Sequence, residues 1–242
     1  MELELERLSP RQAEQLIPPP LQTFRGFLAI PWVEGARVVR QGSDRNRHLP
    51  HVFRYVAASA GPASPREHEA GRLRLRAMVH CNLSESFGPA AAERAAAWID
   101  EARCDDETPC YADGHMAPEE WIVRPEGALL KTDYLGQAFD HTLIGQQPLL
   151  WDIAGILVEW ELMDSERTFL LETLFKAGIQ VELAALSRYE LAYAAFRMGL
   201  FSFCADQTSN DDPELTRLRR AEAFYQSKLK YLLTSGPGKT SG

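Results

Sequence analysis

Cysteine is scarce in this chain: Cys81, Cys104, Cys110 and Cys204 are the only four, and their spacing matches neither a zinc-binding pair nor a thioredoxin motif. A disulfide-stapled scaffold is excluded, and reduced thiols in a cytoplasm are expected. Positive charge is in deficit as well, with 26 Lys and Arg against 34 Asp and Glu for a net charge of -8. Phosphate backbones are bound by clustered cations, so no nucleic-acid partner is expected. Long apolar runs are missing: the most apolar stretch, "PLLWDIAGILVEWELM", is interrupted by Asp152, Glu159 and Glu161 and reads as a buried helix, not a membrane span. The start, "MELELERLSPRQAEQLIPPP", is acidic and lacks the basic and apolar regions of a secretory signal. No G-x-S-x-G, H-E-x-x-H, P-loop or G-x-G-x-x-G pattern occurs, so serine hydrolase, zincin and dinucleotide-binding readings have no support.

What remains is a chain of 242 residues, 45% hydrophobic and 25% charged, long enough to bury a substantial core. "LQTFRGFLAIPWVEGARVV" (21 to 39) mixes aromatic and β-branched residues with Gly and Pro, which predicts two short strands and a turn. Around "HVFRYVAA" the pattern fits a short helix or a strand, and His48 and His51 with Arg45, Arg47 and Arg54 form a basic island, either an anion site or a solvated loop. Two helices are expected over 66 to 87 and 89 to 103, the first with Leu73, Leu75, Met78 and Val79 on its apolar face, the second opened by Pro89. Beyond residue 150 the chain reads as helical. Asp164 or Ser165 is the expected cap of one helix and Gly178 its stop, and Asp212 with Pro213 opens the last. The expected layout is an N-terminal segment over 1 to 20, one domain over 21 to 234, and a disordered tail over 235 to 242.

One stretch stands apart: "DGHMAPEEWIVRPEGALLKTDYLGQAFDH", residues 113 to 141. "EWIV", a Pro-Glu-Gly turn and "ALLKTDYL" predict a β-hairpin. It carries Asp113, His115 and Glu120 at its start and Asp133 at its far end, so the two ends face one side. Such an arrangement gathers oxygen ligands for a hard cation such as Mg²⁺.

The order "DGHMAPEEWIV … GALLKTDYLG … DHTLIGQQPLLWDIAG" resembles the catalytic core of the kinase-like phosphotransferases, in particular the aminoglycoside phosphotransferase and choline kinase group. Their pattern is H-G-D-x-x-x-x-N, a hairpin, a metal-binding Asp, and a helix opening with a buried Asp. Asp113, Gly114 and His115 fall on the first triplet, Glu120 on the Asn, Asp133 on the metal Asp and Asp152 on the helix Asp. The resemblance implies an α+β, mostly helical fold like the kinase C-terminal lobe, with a small N-terminal sheet and a central hairpin. It also implies transfer of a phosphoryl group from Mg²⁺-ATP to a small-molecule hydroxyl. In that reading Asp133 and Glu120 hold metal, His115 or Asp113 stands near the acceptor hydroxyl, and Lys131 meets phosphate. Asp152 orders the loop by accepting backbone N–H groups, and Asp140 with His141 forms a second acid–imidazole pair.

Two departures from the pattern open an alternative. The proton-accepting Asp is replaced by His115, and only about twenty residues precede "FLAIPWVEGARV", which resembles the strand and hinge that join the two lobes of that fold, leaving no room for a Gly-rich loop or its lysine. A pseudokinase-like binding or scaffold protein, with a protein partner covering the N-terminal edge, is therefore the second expectation; half of a split protein is the third.

Overall fold

The computed structural model describes residues 11, 14–25, 27–33, 37–38, 45–60, 65–100, 112–134 and 147–235. The 236–242 tail, Cys104 and Cys110 lie outside them. The chain divides into two compact units, Met1–Ser64 with Thr108–Val181, and Pro65–Glu107 with Glu182–Gly242.

In the first unit, β1 (Gln22–Phe24) and β2 (Phe27–Ala29) pair antiparallel, Phe24 opposite Phe27, as the hairpin expected from the sequence. A second sheet has the order β3-β4-β5: β3 (Arg37–Val38) adds to the central hairpin of β4 (Trp121–Val123) and β5 (Leu129–Lys131). The register sets Trp121 opposite Lys131 and Val123 opposite Leu129. The turn closes with the Arg124 and Gly127 N–H groups donating to the Ala128 and Arg124 carbonyls, and Gly127 takes φ 91°, a left-handed value that costs glycine little.

Among the described residues this unit also holds the helices α1 (Arg45–Ala57), α4 (Leu149–Glu159) and α5 (Asp164–Lys176), with α2 and α3 falling in the second unit. The ambiguous segment around "HVFRYVAA" is thus helical, and it buries Leu49, Val52, Phe53, Tyr55 and Val56. Every residue of α4 is buried, Asp152 included. The α4 end is tied down by Arg45, whose Nε donates to the Trp160 carbonyl at 2.9 Å and whose Nη1 meets Glu166 at 2.5 Å. Arg45 is therefore no part of an open basic island; His48 is buried and Arg54 sits 2.7 Å from His51. The cap of α5 is also not Asp164 or Ser165. Met163 holds the cap position, and Glu166 reaches back to accept its N–H at 2.8 Å, so the carboxylate serves both the cap and Arg45. The expected stop at Gly178 is present with φ 80°, its N–H donating to Phe175 and that of Ile179 to Leu174.

The second unit holds α2 (Pro65–Phe87), α3 (Pro89–Asp100), α6 (Leu183–Asp206) and α7 (Pro213–Ser235). Leu75 and Val79 of α2 are in its core, but Leu73 is 56% exposed, because it lies on the turn away from the apolar stripe. Asn82 donates to the Ala195 carbonyl at 3.0 Å, and Gly199 leaves room for the Asn82 side chain, where a Cβ would lie 2.2 Å from its nitrogen. Asp212 accepts the Glu214 N–H at 2.8 Å and caps α7, with Pro213 in its first position. The fold is α+β and mostly helical, as expected; among the described residues no helix is long and apolar enough to cross a membrane.

Replacing Arg45 by Ala leaves the Glu166 carboxylate and the Trp160 carbonyl without this partner, and a loss of about 2 kcal/mol is expected in urea unfolding. A loss below about 0.5 kcal/mol, the range of a solvated surface pair, would show that the clamp is idle.

Candidate functional site

The segment after residue 111 is an extended loop, then a short 3₁₀ turn at Pro118–Glu120 that leads into β4. Its backbone is shaped by α4. The N–H groups of Asp113 and Gly114 donate to the two oxygens of Asp152, at 2.7 and 2.9 Å. Trp151 Nε1 donates to the Gly114 carbonyl at 3.0 Å, and Trp160 Nε1 to the Met116 carbonyl at 2.8 Å. Gly114 takes φ 97°, a turn that lets consecutive N–H groups converge on one carboxylate.

The loop and hairpin side chains then form one polar cluster. Lys131, fully buried on β5, places its ammonium 2.5 Å from Glu120 Oε2 and 3.3 Å from Asp113 Oδ1, and donates to the Asp133 carbonyl. His115 Nδ1 lies 2.9 Å from the other Glu120 oxygen. The Asp113 Oδ2 accepts the Tyr55 hydroxyl; its Oδ1 has no hydrogen bond of its own, which leaves the Lys131 ammonium as its compensation. Glu120 is also fixed through its backbone, whose carbonyl accepts the Thr132 N–H at 2.9 Å and hydroxyl at 2.8 Å.

The electrostatics follow from burial and pairing. Burial alone disfavours the Lys131 ammonium, but Asp113 and Glu120 outweigh it and hold the amine above its ordinary value. Burial likewise pushes Glu120 up, and the His115 hydrogen bond and Lys131 charge outweigh it and leave the carboxyl low. Asp152 is pushed up to about 7, by burial first and Asp113 repulsion second, against the two loop N–H groups and Arg11. Tyr55 is raised well above its ordinary value by burial and by Asp113, with Arg11 opposing from 4.7 Å over its ring.

The sequence-predicted residues Asp113, His115, Glu120 and Lys131 thus come together, with Asp152 directly behind the loop; Asp133 joins them through its backbone carbonyl, and its side chain is exposed. Asp140 and His141 lie outside the described residues. Tyr55 and Arg11 were not singled out in sequence; the signal for Tyr55 was its place on the apolar face of α1. The donor set does not fit a resident Mg²⁺, which needs several open oxygens in octahedral array. Both oxygens of Glu120 are engaged by cationic or donor groups, and among the described residues no three His, Cys, Asp or Glu form a metal-binding group. Lys131 turns inward onto these acids, not outward to a phosphate.

Beside the cluster is an apolar cavity of about 370 Å³, lined by Pro18, Ile30, Trp32, Val33, Ile122 and Thr132. Its volume is within the usual small-ligand range of roughly 300–1,000 Å³. Thr132 links the two features, standing between Lys131 and the exposed Asp133.

Replacing Asp152 by Ala orphans two buried N–H groups, and a loss of about 2–4 kcal/mol is expected in urea unfolding. A loss below about 1 kcal/mol would mean that the loop holds its own shape. Because Asp152 is raised in the folded state, its contribution favours folding at low pH and fades as pH climbs from about 4 to about 7, by at most about 1.4 kcal/mol per unit. Measured pH by pH, the stability of wild type relative to Asp152→Asn should fall across that window, and a constant difference would contradict the shift.

No family model matches the chain. A search of curated proteins found no significant relative. Solved structures do share its fold. LicA in complex with AMP aligns at TM-score 0.60 with 15% identity, over 92% of this chain and 77% of that one. The choline kinase LicA from Streptococcus pneumoniae gives 0.58 and 15%, over 92% and 79%. A choline/ethanolamine kinase family protein from Mesorhizobium loti gives 0.61 and 13%, over 95% and 76%. At such identities the likeness carries the architecture and not the activity: the chain has a kinase-like fold.

Proposed function

We propose that this chain is a nucleotide-binding protein of the kinase-like fold, similar in plan to choline kinases, and that it binds without transferring phosphate. The observation that carries the binding is the apolar cavity whose edge, Thr132, adjoins the polar cluster. A purine ring suits walls of Pro18, Ile30, Val33 and Ile122, with the 90%-exposed Trp32 available to cover one face. Phosphates leaving the ring at Thr132 would point to solvent, since the exposed Asp133 carboxylate repels them where no cation bridges the two. Support comes also from LicA, which is known in complex with AMP. Binding without transfer is favoured because Lys131 and His115 already engage Glu120, so one of the two acids expected to hold Mg²⁺ is committed internally.

A second reading, phosphoryl transfer to a small-molecule hydroxyl, is favoured by the His115–Glu120 pair. Glu120 orients the imidazole through Nδ1 at 2.9 Å, which suits a base acting through Nε2, and the sequence resemblance sets His115 on the proton-accepting Asp of the triplet. Asp113, shared between Tyr55 and Lys131, is the poorer base.

Calorimetric titration with AMP, ADP and ATP tests the first reading. Saturable binding is expected, and Trp32→Ala should weaken it roughly tenfold, in line with stacking worth ~1–3 kcal/mol. No binding, or binding indifferent to Trp32, would remove the nucleotide. Release of ADP in the presence of hydroxyl acceptors separates the readings: transfer requires turnover that His115→Ala lowers by about a hundredfold or more, whereas the binding reading expects no turnover above the level of that variant.

A further inference from the structure

The misfit between the polar cluster and a divalent cation has a physical form: the centre of the acid group is already filled by a cation. We infer that the Lys131 ammonium is a built-in replacement for the divalent ion that a kinase-like site otherwise holds, so that this site is complete without metal. The amine reaches oxygens from three places at once, Glu120 Oε2 at 2.5 Å, Asp113 Oδ1 at 3.3 Å and the Asp133 carbonyl, and neither its own side chain nor that of Asp113 has any exposure to solvent.

Charge and geometry agree with this role. Two carboxylates share the buried space, and without a cation their repulsion and desolvation would force one to take up a proton. Asp113 Oδ1 has no hydrogen-bond donor, which is the condition of a ligand oxygen facing a point charge. The ammonium cannot leave as an ion does, because its stem is fixed in β5, where Lys131 N–H also donates to the Leu16 carbonyl at 3.0 Å. The acids are thus held in place at all times, independent of metal supply. The hydrogen-bonded His115, attached to Glu120 from the other side, is oriented by the same charge.

The inference concerns the cluster alone and does not depend on the nucleotide. Its test uses Mn²⁺ by itself as probe, followed by electron paramagnetic resonance and by melting temperature. Wild type is expected to bind no Mn²⁺ at millimolar concentration and to melt at the same temperature with EDTA as with Mn²⁺. Lys131→Ala is expected to melt lower in EDTA, to bind Mn²⁺, and to regain part of the lost melting temperature when it does; addition of Glu120→Gln to that variant should abolish the gain. A merely structural ion pair predicts the lower melting temperature without Mn²⁺ binding, and that outcome overturns the inference. Wild-type Mn²⁺ binding that Glu120→Gln removes overturns it as well, and decides the matter even where Lys131→Ala fails to fold. Failure of nucleotide titrations would remove the proposed function and leave these results unchanged.

Discussion

A buried ammonium sets the terms for everything around it. Lys131 is fully enclosed, and an ammonium taken out of water is tolerated only where carboxylates and carbonyls replace its hydration. Glu120 supplies that replacement from the end of the 3₁₀ turn, Asp113 from the loop, and Asp133 from the backbone just past β5. Three segments distant from one another in function become one unit because a single charge requires all of them. Removing any one acid leaves the amine short of partners, and removing the amine leaves two acids repelling each other.

The same economy appears behind the loop. Asp152 sits in a helix that is buried throughout, and its oxygens accept the N–H groups of Asp113 and Gly114. This fixes the loop backbone, and the indole nitrogens of Trp151 and Trp160 fix its carbonyls. Asp113 is then aimed at Tyr55 and Lys131 by a scaffold that is apolar almost throughout. The edge-to-face stack of Tyr55, Trp121 and Trp160, with centroids 5.1 and 6.4 Å apart, forms the floor of that scaffold. Fold and site are therefore one arrangement in this unit, since the helix that fills the core also orders the loop.

Much of this was legible in the sequence because it is local. Two short strand-like segments around a Pro-Glu-Gly turn gave the hairpin, Pro and Gly punctuation gave α3, α5 and α7, and a lone Asp in an apolar helix had to find backbone donors. The resemblance to kinase-like phosphotransferases placed Asp113, His115, Glu120 and Asp133 near one another. What the sequence hid depends on reach and burial. Arg45 looked like a member of a basic island, yet its long side chain spans to Glu166 and Trp160, far away in sequence. Leu73 looked like core and is exposed, because one apolar residue more or less does not fix a stripe. Lys131 looked like a phosphate contact; the acids and carbonyl it meets instead are spread over three segments, which no local pattern links.

The most direct test of the account is nuclear magnetic resonance of the lysine side-chain amines in wild-type protein. An ammonium signal slow to exchange with water is expected for Lys131, losing its proton only above the ordinary lysine value of about 10.4. A Lys131 amine that exchanges freely, or that titrates below that value, would contradict it: the cluster would then not be built around a permanent charge.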